Sequence, residues 1–354
     1  MYPALAVAEE LRQQPAAELL YVGSDSGLER ELVERRGLRF AAISVTGGVR
    51  GTGMAALGNA AALVNATRQA DGLMSNFRPE AILATGGYVC APVVVSGWLR
   101  RVPSLVYLPD TEPGWAVRFL GPFARLVAVT VPESARFFRS RKVVCTGYPV
   151  RPDVGTFARH EARAHFGIPP TDSVLLVTGG SRGAFRLNQA VTDSLESLLD
   201  TMHVIHVCGQ AHHTTLSDRA AGLPERLVAR YHLFAYLHEM PMAMAAADLA
   251  LSRAGASVLG EYPAAGLPSI LVPLSLGHRD QERNAAYMAA HGAALVIGDS
   301  EFTAARLTSA VSELLGDPVR LSAMSDAARA MAQPFAALCL ADELTHMASR
   351  ENRD

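Results

Sequence analysis

The stretch ADLALSRAGASVLGEYPAAGLPSILVP, residues 247–273, holds two apolar runs of strand length on either side of a short helical run. The first apolar run ends in the small turn Arg253-Ala254-Gly255, and Gly266 is a typical residue at which a helix stops. Apolar runs of this length are typical of strands buried in parallel sheets. The stretch therefore predicts a strand–turn–helix–strand unit, with a helix over 256–265 that Pro263 should shorten or kink.

The turn after the first of these strands has the features of a phosphate site. Its small residues let the backbone approach a ligand closely, and the free amides at the helix start carry a positive partial charge. Glu261 follows about one and a half turns into the helix, where its carboxylate could accept two hydrogen bonds from a ribose diol. The alternative is that Glu261 is only a surface residue of the helix.

Two further segments could belong to the same site. Gly179-Gly180-Ser181-Arg182-Gly183 follows an apolar strand and opens a helix, as phosphate-binding turns do, although turn glycines often have only a structural role. Gln281 and Asn284 are three residues apart, so a helix would place both amides on one face, where they could bind sugar hydroxyls. The alternative for this second segment is a solvent-exposed helix start.

Strands and helices alternate along the whole chain, which predicts α/β domains built on parallel sheets. The prolines of the segment 147–152 fix the backbone and mark a domain boundary, and Pro334 breaks the last helical stretch. We therefore predict an N-terminal domain over 1–148 and a second domain over 149–333, in which a helix covers 184–198. The terminal helix, 334–354, should pack back towards the N-terminal domain.

Composition excludes several classes of protein. The 354 residues are 49% hydrophobic, which is enough for two cores, yet no apolar run is long enough to span a bilayer and no signal peptide opens the chain. The four cysteines lie far apart, so we expect a reduced cytoplasmic protein without structural zinc. Residues 1–150 carry 16 basic and 12 acidic side chains, and the remainder carries 16 and 22. Unless this asymmetry is chance, the basic half could face an anionic surface or substrate.

Short motifs with a characteristic order and spacing cover nearly the full length of the chain. They are YPALAVAEEL (2–11), GGVRG (47–51), ATGGYV (84–89), GYPVRPDV (147–154), GGSRGAFRLNQ (179–189), SRAGASVLGE (252–261), AAGLPSILVP (264–273) and DQERNA (280–285). On these motifs the chain resembles glycosyltransferase family 28. The resemblance implies the GT-B fold, in which two doubly wound, Rossmann-like domains face each other across a cleft.

The resemblance implies a donor site for UDP-GlcNAc in the C-terminal domain. Glu261 would hold the ribose diol, and the backbone of Leu237 would meet the uracil. The diphosphate would lie near Arg151, Gly180, Ser181 and Ala256, and the GlcNAc near Asp280, Gln281 and Asn284. Because backbone amides and Arg151 would stabilise the leaving diphosphate, no metal ion or other cofactor is required.

The resemblance also implies the reaction. Members of the family transfer GlcNAc with inversion to a polyprenyl-diphosphate-linked muramyl peptide, which converts lipid I to lipid II in bacterial peptidoglycan synthesis. The implied acceptor-binding residues are Arg50, Gly86, Gly87 and Tyr88, and no nucleic acid is expected as a partner. The alternatives are a GT-B enzyme with another lipid or glycan acceptor, a UDP-GlcNAc 2-epimerase, and a non-catalytic protein that binds a nucleotide sugar.

A lipid-linked acceptor requires the N-terminal domain to reach the inner face of the cytoplasmic membrane without spanning it. Apolar residues lie beside arginines at 98–101 and 115–125. The apolar side chains could enter the headgroup boundary while the arginines meet anionic lipid. The alternative is that Phe119 and Phe123, which have helical spacing, belong to the core.

The chain departs from the family pattern at two points. Members open with a strand and a glycine-rich loop that ends in a histidine, and this chain begins one step after that histidine, so we expect the upstream sequence to encode both. The family's His-Glu-Gln-Asn segment is here Tyr107-Leu108-Pro109-Asp110. Asp110 could act as a general base, or it could be a loop carboxylate that makes turn hydrogen bonds.

Overall fold

The structure is a computed structural model that describes residues 1–14, 17–24, 29–45, 54–139, 142–180, 184–274 and 279–351. For residues 54–61, 350 and 351 only the backbone is described. The chain forms two compact units, Met1–Pro149 with Pro334–Asp354, and Val150–Gln333. The first is called here the N-terminal unit and the second the C-terminal unit.

Both units alternate strands and helices along the chain. The strands are β1 Leu20–Ser24, β2 Arg39–Ile43, β3 Ile82–Ala84, β4 Ser104–Leu108, β5 Leu126–Val129, β6 Val143–Cys145, β7 Ser173–Thr178, β8 Met202–Val207, β9 Tyr231–Phe234, β10 Leu249–Ser252, β11 Ser269–Leu271 and β12 Ala294–Val296. The helices are α1 Tyr2–Arg12, α2 Glu29–Glu34, α3 Met54–Phe77, α4 Cys90–Leu99, α5 Trp115–Leu120, α6 Arg159–His165, α7 Phe185–Asp193, α8 Leu195–Leu199, α9 Gln210–Ala221, α10 Glu225–Val228, α11 Met240–Ala246, α12 Glu261–Ala265, α13 Arg279–Ala290, α14 Ala304–Leu315, α15 Pro318–Ala330 and α16 Ala336–Glu351.

Within the described residues, the strands of the N-terminal unit form two parallel sheets, β1-β2 and β3-β4-β5-β6. Every strand pair in these two sheets is parallel, as the alternation of strands and helices predicts for an α/β domain.

Helices cover both faces of the β3–β6 sheet. On one face, α1 and α16 contribute Val7 and Leu340, which belong to the same buried cluster as Tyr107 of β4. On the other face, α4 and α5 contribute Val94 and Leu120 to a second buried cluster. The terminal helix α16 is thus part of the core of the N-terminal unit, although it follows the whole C-terminal unit in sequence.

The C-terminal unit has one parallel sheet in the order β12-β11-β10-β7-β8-β9. Counted within the unit, β7 is the first strand and β10 the fourth, which is the doubly wound order with its switch point between these two strands. Ser252 at the end of β10 pairs with Thr178 at the end of β7. Ligands of such sheets bind at the carboxyl ends of the strands at this point, so the fold directs attention to the two turns that follow.

The helix predicted over 256–265 is divided in two. A 3-10 helix covers Ala256–Leu259, and α12 begins after Gly260 and ends at Gly266, whose φ of +59° is left-handed as expected for a helix stop. Pro263 therefore lies in the first turn of α12, where a backbone N–H has no partner within the helix. This division lets the chain accept the proline, and the predicted shortening of the helix is confirmed.

The helix predicted over 184–198 is also interrupted. It forms α7 and α8, which meet at Ser194. The Ser194 hydroxyl donates a hydrogen bond of 2.7 Å to the carbonyl oxygen of Ala190, one turn earlier. A serine hydroxyl that bonds back in this way competes with the helical ladder and commonly bends a helix.

Candidate active site

The turns that follow β7 and β10 lie side by side at the switch point of the C-terminal unit. Gly180, after β7, has a left-handed φ of +80°, and its N–H donates to Thr178 Oγ1 at 3.3 Å. The fold thus brings together two glycine-containing turns that are far apart in the sequence, as a shared phosphate site requires. The predicted contact of Ser181 lies outside the described residues.

Gly255, in the turn after β10, has open space in front of it. Its φ of −65° suits any residue, and a Cβ built on it would meet no atom within 4 Å. Since neither the backbone conformation nor packing requires a glycine here, the missing side chain leaves room for a ligand. Ala256, the next residue, begins the 3-10 helix, whose first amides have no partner within that helix.

Glu261 is buried, so its interpretation as a surface residue is wrong. Its Oε1 accepts a hydrogen bond of 3.2 Å from Nε of Arg151, and both residues are only 8% exposed. Burial raises the pKa of the Glu261 carboxyl above its usual value, and the charge and hydrogen bond of Arg151 offset only part of this rise. Arg151 therefore favours the ionised carboxylate, which accepts hydrogen bonds from both hydroxyls of a diol more readily than the neutral acid does.

The pairing with Glu261 gives Arg151 a role that the sequence does not indicate. The two residues are 110 positions apart, so no local spacing connects them. The resemblance assigns Arg151 to the diphosphate, and that contact stays a prediction. The structure adds that this guanidinium orients the proposed ribose-binding carboxylate.

The amides of Gln281 and Asn284 lie in α13, and both contact neighbouring backbone. Gln281 Oε1 accepts a hydrogen bond of 3.0 Å from the N–H of Leu274. Asn284 is fully buried and donates from Nδ2 to the carbonyl oxygen of Ala254 at 3.1 Å, so a solvent-exposed position is wrong for this residue. Asn284 thereby supports the turn after β10. Asp280 lies in the first turn of the same helix, and the sugar contacts of all three residues stay predictions.

The family resemblance assigns the backbone of Leu237 to the uracil. Its side chain lies in the core, and the residue is 6% exposed. Its neighbours Tyr236 and His238 form an edge-to-face ring pair with centroids 4.8 Å apart. These two rings follow the carboxyl end of β9, and a nucleobase can stack on such faces. Sequence reasoning missed them, although aromatic residues on both sides of the Leu237 position were the available signal.

The N-terminal unit contains a cavity of about 400 Å³ that gathers the described acceptor residues. Its lining comprises Thr85, Gly86, Gly87, Tyr88, Leu108, Pro109, Asp110, Gly114, Trp115, Ala116 and Val117. The structure thus brings Gly86, Gly87 and Tyr88 together with Asp110, at a volume suited to a small-molecule ligand. The predicted contact of Arg50 lies outside the described residues.

Buried hydroxyl groups hold the backbone on both sides of Asp110. Thr130 Oγ1 lies 3.0 and 2.9 Å from the carbonyl oxygens of the two preceding residues, and Ser134 Oγ donates to the carbonyl oxygen of the following residue at 2.7 Å. The hydroxyl of Tyr107, which is fully buried, lies 2.7 Å from Thr130 Oγ1. These anchors, which sequence reasoning missed, hold the Asp110 loop in a defined position at the cavity.

In the part of the chain that the structure describes, no group of three or more histidine, cysteine, aspartate or glutamate side chains is arranged to hold a metal ion. The expectation that the reaction needs no metal ion or other cofactor stays a prediction. The groups of this site that can bind an anion are the backbone amides of the two turns and the guanidinium of Arg151 beside Glu261.

Two family models match this chain. The glycosyltransferase family 28 N-terminal domain matches residues 1–129, and the glycosyltransferase family 28 C-terminal domain matches residues 174–338. Together with the two doubly wound units, these matches define a glycosyltransferase of the GT-B class.

Relatives cover nearly the full length of the chain, and the chain belongs to glycosyltransferase family 28. A UDP-N-acetylglucosamine–N-acetylmuramyl-(pentapeptide) pyrophosphoryl-undecaprenol N-acetylglucosamine transferase from Desulforudis audaxviator is 39% identical, over 100% of this chain and 96% of the relative. The Bacillus subtilis protein of the same name is 32% identical, over 95% of this chain and 93% of the relative.

Solved structures share the fold. Acinetobacter baumannii MurG superposes with a TM-score of 0.75 at 28% identity, covering 98% of this chain and 95% of that one. The UDP-GlcNAc 2-epimerase from Neisseria meningitidis superposes with a TM-score of 0.72, covering 98% of each chain. At 13% identity, this structural likeness shows a common fold and nothing about activity.

Proposed function

We propose that this protein is an inverting glycosyltransferase that moves GlcNAc from UDP-GlcNAc to a muramyl peptide linked to a polyprenyl diphosphate. The proposed donor site rests on one observation, the buried Glu261 carboxylate that is paired with Arg151. The same unit contains the two switch-point turns, which suit a diphosphate. The acceptor half rests on the relatives, which are named as N-acetylglucosamine transferases of an N-acetylmuramyl-(pentapeptide) pyrophosphoryl-undecaprenol.

In the proposed reaction, the C-terminal unit binds the donor. Glu261 accepts hydrogen bonds from the ribose, and the amides of the turns after β7 and β10 lie against the diphosphate. These donors stabilise the negative charge that grows on UDP as it leaves, and they need no rearrangement at that moment. Asp280 and Gln281 orient the GlcNAc.

The acceptor hydroxyl attacks the anomeric carbon from the side opposite the diphosphate, which inverts the configuration. Asp110 is the proposed general base that removes the proton from this hydroxyl. It is the carboxylate among the residues that line the cavity of the N-terminal unit, and anchored carbonyl groups flank it on both sides. A base must lie within hydrogen-bond reach of the proton that it removes, and an anchored loop maintains such a position.

The proposed activity is tested by incubating the protein with UDP-GlcNAc labelled in the sugar, with and without a polyprenyl-diphosphate-linked muramyl peptide. We expect the label to enter the lipid fraction, and UDP to be released, only when the acceptor is present. Formation of UDP-ManNAc without acceptor would support an epimerase instead. Binding of UDP-GlcNAc without turnover of any kind would support the non-catalytic alternative.

Calorimetry of UDP-GlcNAc binding to a Glu261→Gln variant tests the donor site. The amide keeps a partner for Arg151 but removes the negative charge, so we expect binding of UDP-GlcNAc to weaken by about 1.5–3 kcal/mol, the range for hydrogen bonds to charged groups. The control is Glu313→Gln, which neutralises a glutamate that is also paired with an arginine but is exposed on α14. Equal calorimetric affinities of the two variants would refute the ribose assignment.

We also propose that the N-terminal unit binds the inner face of the cytoplasmic membrane. No helix in the described stretches is both long and apolar enough to cross a bilayer. The support is a chain of ring contacts from Trp115 to Phe119, then Phe123, then Trp98, with centroids 5.4, 5.5 and 5.4 Å apart. Both tryptophans are about half exposed, as is typical of side chains that enter an interface.

The structure separates the core residues of this surface from its exposed ones. Leu120 is fully buried, and Phe119 and Phe123, for which a core position was the alternative, are partly buried and pack against the same cluster. Arg100 is paired with Asp71 through Nη2 and Oδ2 at 2.8 Å, so its charge is partly balanced. Three exposed arginines lie within three positions of these ring residues in the sequence and supply further positive charge: Arg101, Arg118 and Arg125.

We expect the protein to cosediment with vesicles of phosphatidylglycerol and phosphatidylcholine at low salt, and added salt to release it because exposed charges are screened. Replacing Arg101, Arg118 and Arg125 together by glutamine should weaken binding by about 3 kcal/mol, at about 1 kcal/mol for each arginine. The control replaces three exposed arginines of the C-terminal unit, Arg219, Arg226 and Arg306. If both triple variants bind vesicles equally, the arginines beside the rings do not form the membrane surface.

A further inference from the structure

Asp299, which follows β12, forms ion pairs with two arginines of the C-terminal unit. Its Oδ1 accepts a hydrogen bond of 2.6 Å from Nη1 of Arg253, and its Oδ2 accepts one of 3.0 Å from Nη1 of Arg186. The side chains of Asp299 and Arg253 are 9% and 11% exposed, whereas that of Arg186 is 56% exposed. The ion pair of Asp299 with Arg253 is therefore stronger than its ion pair with Arg186, because solvent screens an exposed pair.

The triad joins the turn after β10 to the start of α7, two of the segments near the predicted diphosphate site. Arg253 belongs to the turn after β10, and its Nη1 also donates to the carbonyl oxygen of Val272, just after β11, at 3.0 Å. Arg186 lies in the first turn of α7, the helix that follows the glycine turn after β7, and it also donates to the carbonyl oxygen of Asp299 at 2.9 Å. One carboxylate thus links α7 to the carboxyl-terminal ends of β10, β11 and β12.

We propose that Asp299 is a positioning residue for the donor diphosphate, which fixes the distance between the turn after β10 and the start of α7. This inference rests on the proposed function. Amides that bind a phosphate must be held to within a fraction of an ångström, and the side chains that hold them contribute to affinity without touching the ligand. The sequence gives no sign of this arrangement, because Asp299 lies 46 positions from Arg253 and 113 from Arg186.

Asp299 keeps its negative charge in this position. Burial raises its pKa, but the hydrogen bonds and charges of Arg253 and Arg186 outweigh burial, so that the pKa lies below its usual value. The triad carries a net positive charge, since two guanidinium groups surround one carboxylate. Two opposite effects of removing the carboxylate follow: looser turns would weaken diphosphate binding, whereas loss of a negative charge near the site would strengthen it.

The test compares calorimetric affinities of UDP and uridine for the wild type, Asp299→Asn and Asp200→Asn. Asp200 also pairs with an arginine of the C-terminal unit, but it precedes β8 and therefore lies at the amino-terminal end of that strand. We expect Asp299→Asn to bind UDP at least about tenfold more weakly, the effect of one lost hydrogen bond to a charged group. Its affinity for uridine, which lacks the diphosphate, should be unchanged, and Asp200→Asn should match the wild type for both ligands.

Other results would overturn the proposal. An equal loss of affinity for UDP and uridine would show general destabilisation of the unit, and thermal unfolding of both variants would reveal it. Tighter binding of UDP to Asp299→Asn would show that only the charge of Asp299 matters. Unchanged binding would show that the triad has no role in binding the diphosphate. A wild type that binds neither ligand would contradict the proposed function itself, and the positioning role would fail with it.

Discussion

An Asp110→Asn variant is expected to transfer GlcNAc about 10²–10⁴-fold more slowly than the wild type, the usual contribution of a positioned general base. Asparagine has nearly the same shape as aspartate and makes the same turn hydrogen bonds, but it cannot accept a proton. The measurement is kcat at saturating UDP-GlcNAc and acceptor. The acidic limb of the pH–rate profile, which reports ionisation of the base, should disappear in the variant.

The same variant distinguishes the two interpretations of Asp110. If the carboxylate only stabilises its loop, Asp110→Asn should retain wild-type kcat, since asparagine serves a turn equally well. The matched control is Glu112→Gln, which removes a charge from the same loop at a residue that pairs with Arg136 at 3.6 Å. A similar loss of kcat in both variants would indicate an effect of charge on the loop rather than proton transfer.

The sequence was sufficient to predict the parts of the fold that depend on neighbouring residues. Apolar runs around Arg253-Ala254-Gly255 predicted β10 and β11, and Gly266 stops α12 because glycine adopts the left-handed conformation found there. Pro263 predicted a shortened helix, which the structure confirms. Each of these predictions relies on residues within one strand–turn–helix unit, where local conformational preference dominates.

The sequence was insufficient where the site depends on contacts between distant segments. Burial of Glu261 against Arg151 follows from the packing of β10 and α12 with the segment that enters the unit, so the local pattern left a surface position open. The anchors of Asp110 come from residues 130 and 134, beyond the next strand. Pairings of this kind are set by the order of strands in the sheet, and single-sequence patterns carry no information on it.

The second large effect is expected at a buried arginine near the amino-terminal ends of β7 and β10 in the C-terminal unit. Arg163 of α6 is 2% exposed and donates from Nε to the carbonyl oxygen of Ala246 at 3.2 Å and from Nη2 to Oδ2 of Asp248 at 2.8 Å. Its Nη1 donates to the carbonyl oxygen of Pro170. Asp248 in turn accepts the N–H of Val174 in β7 at 2.9 Å. This guanidinium therefore ties α6, the chain before β7 and the chain before β10 to one another.

We expect Arg163→Ala to lower the free energy of unfolding of the C-terminal unit by about 3–5 kcal/mol, because removal of one partner leaves buried carbonyl groups and a carboxylate without their donor. Arg159→Ala is the matched control, since Arg159 pairs with the same Asp248 but is half exposed, and its loss should cost less than about 1 kcal/mol. Urea unfolding followed by circular dichroism measures both variants. Tryptophan fluorescence follows the N-terminal unit separately, because Trp98 and Trp115 both lie there. If the two variants lost equal stability, burial of the guanidinium would not be what makes Arg163 important.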